Sequence, residues 1–182
     1  MLNLKKLLLD VFAPQPGENI ILFNDYPSEE SDEDFEERKE MAKLWHKTFQ
    51  EIAKENGCTV EEIIYSEPTG GHGTPLPEKA TQNGKEIDLD EKLKTFNKKD
   101  IVIAITKFSA TGPLDTLLLK QQFRVATLPG ANMEMSAFEA DYTLVAKKAH
   151  VLAKKLSEAK AAVITFSTGH EVYIDLHDRS AI

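Results

Sequence analysis

Ile101-Val102-Ile103-Ala104-Ile105 is the strongest strand signal in the chain, an apolar run with no polar alternation. Such a run fits a strand covered on both faces, as in a parallel sheet. The pattern around it repeats the lesson. Downstream, residues 106–113 (TKFSATGP) form a loop, and Pro113 suits the first turn of a helix continued by Leu114, Leu117 and Leu118. Residues 123–127 read as a strand and Pro129-Gly130 as a turn. A helix over about 133–140 leads to Asp141, an N-cap for a helix whose apolar residues Tyr142, Val145, Ala149, Leu152 and Leu156 step by three and four. Residues 162–166 (AVITF) predict a further buried strand. Val172, Ile174 and Leu176 alternate with polar partners, the mark of an antiparallel hairpin or edge strand with one face buried.

Upstream the same alternation holds. A short helix is expected over 90–96. Residues 67–84 carry Pro68, Gly70, Gly71, Gly73, Pro75, Pro77 and Gly84, and read as one long irregular loop. A short strand is expected over 62–65. The longest helix precedes it, with Ser31 and Asp34 as a capping pair, a stripe of Met41, Leu44, Trp45, Thr48, Phe49 and Ile52, and a stop at Asn56-Gly57. Ile20-Ile21-Leu22-Phe23 is a second continuous strand, closed by Asn24-Asp25, and residues 3–12 form a helix ended by Pro14, Pro16 and Gly17. Strands alternating with helices predict an α/β fold: a Rossmann-like, mostly parallel sheet flanked by helices, ending in an antiparallel hairpin or edge strand. One domain over 1–182 is expected, with its core over 18–166.

Charge and composition narrow the function. The chain of 182 residues has a net charge of −8, and residues 1–40 hold eleven acids against Lys5, Lys6, Arg38 and Lys39. No basic stripe is present, so nucleic acid is not an expected partner. The acidic run from Glu29 to Glu40 fits the solvated start of a helix, where acids suit the macrodipole. No apolar run approaches the ~20 residues of a membrane helix, so no membrane partner is expected. The single cysteine, Cys58, reads as a small buried residue at a helix end, and a cytoplasmic setting is the simplest one.

The fold class invites a phosphate loop, but the turn after the first strand, Asn24-Asp25-Tyr26-Pro27-Ser28, has no glycine, and neither GxGxxG nor GxxxxGK[ST] occurs. No nucleophile elbow and no HExxH helix can be assembled. The catalytic set expected within this chain is therefore empty. Cleft-lining candidates remain. His72 lies in Gly70-Gly71-His72-Gly73, either on a lid over a cleft or on a solvated loop. Thr106, Lys107, Ser109 and Thr111 follow the strongest strand, where ligands bind in open α/β sheets; capping of the next helix is the alternative role for Ser109 or Thr111. Asp175 and His177 stand two apart on a strand and are weak metal candidates, because two ligands do not complete a site.

Five segments occur together in a telling order: DVFAPQPGENIILF (10–23), TGGHGTPLP (69–77), DIVIAITKFSATGP (100–113), RVATLPGANMEMS (124–136) and VITFSTGHEVYIDLHDR (163–179). In that order the chain resembles the N-terminal half of the aminopeptidase T-like leucyl aminopeptidases, a thermophilic metallopeptidase family. The resemblance implies a non-catalytic scaffold whose hairpin over 163–178 leads to an absent C-terminal metal-binding domain. It implies a homodimer, a peptide substrate, and two divalent ions, zinc or cobalt, held outside this chain. No cofactor is expected in the chain itself. A related branch resembles the iron-dependent ring-cleaving dioxygenases. A stand-alone, non-enzymatic α/β interaction module is the remaining reading. An exposed apolar patch is expected where a second domain would dock.

Overall fold

Six of the seven residues of β1 (Asn19–Asp25) are buried, because the strand has neighbours on both edges and helices over both faces. The computed structural model describes residues 3–27, 29, 33–134, 138 and 140–180. In chain order the elements are α1 (Leu4–Phe12), β1, α2 (Glu33–Asn56), β2 (Thr59–Val60), β3 (Ile64–Ser66), β4 (Lys79–Gln82), β5 (Lys85–Asp88), α3 (Leu89–Lys94), β6 (Asp100–Ile105), α4 (Thr111–Gln121), β7 (Arg124–Thr127), α5 (Tyr142–Glu158), β8 (Ala161–Thr165) and β9 (Glu171–Asp175). The main sheet has the order β5-β4-β3-β1-β6-β7, with β2 also on β1. β2, β3, β1, β6 and β7 run parallel, β4 pairs antiparallel with β3, and β5 pairs antiparallel with β4. The expected α/β class holds, and a separate two-stranded sheet, β8-β9, carries the expected hairpin.

The two faces divide by residue parity. Ile21, Phe23, Val102 and Ala104 join Leu89 and Leu93 of α3 and Leu114 of α4 in one buried cluster. Ile20, Leu22, Ile101, Ile103 and Ile105 are equally buried. They point the other way, towards the face on which α2 packs. There Phe12 of α1 meets Trp45 and Phe49 of α2 edge-on, at ring separations of 6.4 and 5.7 Å. The α2 stripe is buried as expected except at Leu44, which is 45% exposed. Gly57 ends α2 in the left-handed conformation, φ +71°, which a glycine adopts without strain. The expected N-cap Ser31 lies outside the described residues, as do residues 135–137 and 139 of the helix expected over 133–140; Met133 and Glu134 form a turn.

Two differences from the sequence pattern have local causes. The strand expected over 62–65 is present as β3, which starts two residues later, at Ile64, and β2 precedes it over Thr59–Val60. Ile20 faces Val60 and Phe23 faces Ile64, so three residues (61–63) oppose two (21–22), the count of a bulge. The bulge turns Glu61 into a part-buried network, where its carboxylate accepts from Asn19 Nδ2 (2.9 Å), Gln82 Nε2 (3.0 Å) and Lys92 Nζ (2.6 Å). The loop expected over 67–84 ends instead in a hairpin. Asn83 and Gly84, at φ +55° and +69°, make the two-residue turn that matches strand twist, and β4 and β5 flank it.

Burial pushes the Glu61 carboxyl up, but the bonds from Lys92, Asn19 and Gln82 outweigh it and hold the group below the ordinary carboxylate range. An acid depressed on folding adds stability that is present above its unfolded value and lost as pH falls through the folded one. Glu61→Gln is therefore expected to flatten the acid limb of urea unfolding midpoints measured from neutral pH downward. Glu61→Ala, which removes the counter-charge of Lys92 while Asn19 Nδ2 and Gln82 Nε2 keep their bonds to Asp100 and the Glu62 carbonyl, is expected to lose about 1–2 kcal/mol at neutral pH.

The chain divides into two compact units, Met1–Glu139 and Ala140–Ile182. The buried apolar core runs from Leu7 to Phe138, not over 18–166. The strand expected to be buried over 162–166 is present as β8, but it pairs with β9 alone, and Val163, Ile164 and Phe166 are about half exposed. Nor does the alternation in β9 bury a face, since all five of its residues are exposed. An apolar run reports a capacity for burial, and the covering surface has to come from elsewhere. Among the described residues, exposed large apolar side chains lie on α5 (Leu144, Val145, Val151, Leu152, Leu156), on β8 (Val163, Ile164) and on β9 (Val172, Tyr173, Ile174).

Candidate functional site

The parallel order β3-β1-β6-β7 fixes where a crevice must open. The chain leaves β1 towards β3 and leaves β6 towards β7, so the connections part above the carboxyl ends of β1 and β6. Asn24 and Asp25 end β1, and Thr106 and Lys107 follow β6. Asn24 Nδ2 donates to the Ile105 carbonyl at 2.7 Å. Asp25 accepts the Lys107 backbone N–H with both carboxylate oxygens, at 2.9 Å each, which ties the two strand ends together. The guanidinium of Arg38 on α2 approaches the same carboxylate, with Nε 3.9 Å from Oδ1 and both side chains under 5% exposed. Burial pushes the Asp25 carboxyl above its ordinary range, against the opposing pull of the Lys107 N–H and Arg38.

Arg38 is under-satisfied for so buried a charge. Nε and Nη2 lack a hydrogen-bond partner, as does Asn24 Oδ1. The guanidinium carbon lies 4.8 Å from the Phe35 ring centroid, and Lys107 Nζ lies 4.5 Å from the same ring. Of the sequence candidates, Lys107 belongs to this group through its backbone and Thr106 lies beside it, buried, with its hydroxyl donating to the Phe108 carbonyl at 2.7 Å. Asp25 and Arg38 were not among those candidates. The available signal was an acid closing the first parallel strand, next to the divergence point.

The other candidates come together in a second group at the same end of the sheet. His72 Nδ1 accepts the Ser109 N–H at 3.0 Å, and the Ser109 carbonyl accepts the Gly73 N–H at 2.9 Å. The His72 ring stands edge-on to Phe108 at 5.6 Å. Because Nδ1 is the acceptor, the neutral ring carries its proton on Nε2. The loop over 67–78 is thereby latched onto the loop over 106–110, which is shorter than the loop expected over 106–113 because α4 already starts at Thr111. Ser109 Oγ donates to Thr111 Oγ1 at 2.8 Å, and Thr111 Oγ1 lies 2.7 Å from Thr127 Oγ1. Ser109 Oγ also accepts the Thr111 N–H, at 3.2 Å, so its capping role is present in part, although the N-cap position itself is Ala110. Beside the latch the loop over 67–78, α3 and the start of α4 line a cavity of about 690 Å³, and none of His72, Thr106, Lys107, Ser109 and Thr111 is among its lining residues. Gly73, Pro75 and Leu76 contribute from one loop, Gly112 and Pro113 from the start of α4, and Leu93 and Leu117 form apolar walls. Its lining is mainly apolar, with Asp90, Lys94 and Thr116 as its polar groups, the balance of a small-molecule pocket.

His72→Ala is expected to open the latch without unfolding the domain. Exchange of the Gly73 amide with solvent should quicken several-fold, while the global unfolding midpoint moves by no more than about 1 kcal/mol in stability, the worth of one exposed hydrogen bond.

Asp175 and His177 bond to each other. The His177 N–H donates to Asp175 Oδ1 at 3.0 Å and the ring Nδ1 lies 2.7 Å from the same oxygen, contacts that hold the Asp175 carboxyl below its ordinary range. Both residues are exposed, and among the described residues no three His, Cys, Asp or Glu side chains are grouped to hold a metal ion. Cys58 is buried just after α2, and burial pushes its thiol up, away from a reactive thiolate. Among the described residues no helix is long and apolar enough to cross a membrane. Comparisons of the chain with protein-family models, with curated proteins and with solved structures each return no match.

Proposed function

We propose that this chain is the scaffold half of a two-domain, metal-dependent aminopeptidase. It forms one wall of a cleft, and a partner domain brings two divalent ions, zinc or cobalt. The observation that carries the reading is the mainly apolar cavity lined by the loop over 67–78, α3 and the start of α4, where that loop is latched to the loop after β6. A cavity of that lining suits an apolar side chain of a peptide, and the hydroxyls of Ser109, Thr111 and Thr127 stand close to the latch. In the proposed assembly the two ions, held by residues of the partner domain, would supply Lewis-acid chemistry for amide hydrolysis. The chain's own residues orient the substrate and exclude water. The apolar faces exposed on α5, β8 and β9 give a partner domain surface to cover.

The test compares residues 1–182 alone with the polypeptide encoded by the whole gene, each supplied with zinc or cobalt and a leucyl amide. Hydrolysis and stoichiometric metal are expected only where both halves are present. Tight stoichiometric zinc or hydrolysis by 1–182 alone would overturn the scaffold reading. Iron-dependent oxygen uptake by the whole polypeptide would replace the peptidase with the ring-cleaving dioxygenase. A gene that stops after Ile182, giving a folded inactive protein, would leave the interaction module.

A further inference from the structure

Arg38 is a buried cation whose donors are not all used. Its side chain is 4% exposed. Among the described residues, Nε and Nη2 have no acceptor. In a planar guanidinium those two groups share one edge, and their N–H bonds point the same way. A whole bidentate edge is therefore open, rather than one stray bond. Asp25 does not fill it, because its Oδ1 lies 3.9 Å from Nε and both its oxygens already receive the Lys107 N–H. Donors left open at that depth are costly unless something occupies them.

The charges around the edge define what it takes. Lys107 Nζ lies 4.5 Å from the centroid of the Phe35 ring, and the Arg38 guanidinium carbon lies 4.8 Å from the same centroid. Two cations stand round one ring with the single buried carboxylate of Asp25, which leaves an excess of one positive charge. The acids at the start of α2, Glu33, Asp34, Glu36 and Glu37, are exposed, so solvent and salt screen them. Lys107 is the half-buried member, and the group meets solvent there. The sheet order places all of this where the connections of β1 and β6 part, the position at which open α/β sheets bind ligands.

We propose that the open edge of Arg38 receives the carboxylate of a small-molecule ligand at this divergence point. A planar carboxylate matches the two parallel N–H bonds of the edge. It brings one negative charge, which the local excess neutralises. A phosphate dianion would overshoot that balance, and the turn after β1 has no glycine to let a phosphate approach the backbone. None of Asp25, Phe35, Arg38 and Lys107 lines the cavity beside α3, so this site is distinct from it, and the proposal does not rest on peptidase activity.

Proton–nitrogen NMR of the arginine Nε–H groups tests this on the full chain, whose three arginines are Arg38, Arg124 and Arg179. Arg124 and Arg179 are exposed, so Arg124→Lys and Arg179→Lys assign the Arg38 signal by elimination. Acetate is the probe, exchanged for chloride at constant ionic strength. The Arg38 Nε–H signal should move downfield and saturate, and the other two should not. The Lys107 backbone N–H, held on Asp25, reports the same event in variants that lack the Arg38 signal. By that readout Arg38→Lys, which keeps the charge but loses the fork, should raise the acetate Kd roughly tenfold or more. Lys107→Met should raise it about threefold or more, and because it keeps the backbone tie to Asp25 it leaves the test readable if Arg38→Lys fails to fold. A lone water on the open edge predicts no saturable shift, and that result would overturn the proposal. So would a phosphate response as strong as that of acetate, or an acetate Kd unchanged by either substitution.

Discussion

Replacing Asp25 with alanine is expected to remove about 3–5 kcal/mol of stability, because it leaves the guanidinium of Arg38 buried without its counter-charge. The same change cuts the tie between the ends of β1 and β6, since both oxygens that receive the Lys107 N–H are lost. Arg38→Met with Asp25→Leu should be far less damaging than the sum of the two single changes, as both charges leave together. A double-mutant cycle by urea unfolding at neutral pH measures this, and simple additivity would show that the pair at 3.9 Å does not act as a unit.

The pH dependence gives an independent reading of Asp25, and its sign is opposite to that of Glu61. Burial raises the Asp25 carboxyl above its unfolded value, so the folded state holds the proton more tightly. Between the unfolded and folded values, stability then falls as pH rises. Asp25→Asn keeps an acceptor for the Lys107 N–H but cannot titrate, and its unfolding midpoints should lack that descending segment. A buried acid that folding destabilises in its charged form, beside under-satisfied Arg38 donors at the divergence point of the sheet, makes this the position most worth mutating for function as well.

Ile103→Ala in the larger unit should lose about 2–5 kcal/mol, whereas Ile164→Ala should lose less than about 1 kcal/mol in the monomer. The two residues sit in strands that look alike in the sequence. Ile103 is fully buried in β6, paired on both edges by β1 and β7, and its truncation leaves a cavity that close-packed neighbours cannot fill. Ile164 is 46% exposed on a two-stranded sheet. Thermal unfolding of both variants, followed by far-ultraviolet circular dichroism, which reports both units, distinguishes them directly. Equal losses would mean that β8 is covered in solution by a surface outside its own hairpin, which also bears on what the exposed apolar faces of Ala140–Ile182 meet.

The local chemistry of this chain determined its elements. The runs 20–23 and 101–105 have the period of doubly covered strands, the stripe from Met41 to Ile52 has the period of a helix, and Asn56-Gly57 has the chemistry of a helix end. These features act over a few residues, so they were legible from sequence order alone, and with them the α/β class and the parallel sheet. Even Asn83-Gly84 carried its turn signal, although the prolines and glycines before it masked it. Tertiary structure alone decided which apolar runs would be covered and which polar groups would meet. Burial of Ile103 and exposure of Ile164 depend on neighbouring strands distant in the chain. The contacts of Asp25 with Lys107 and of His72 with Ser109 span 82 and 37 residues, and no local pattern encodes which loops will lie side by side. The strand order does, by placing the ends of β1 and β6 together at the point where their connections part.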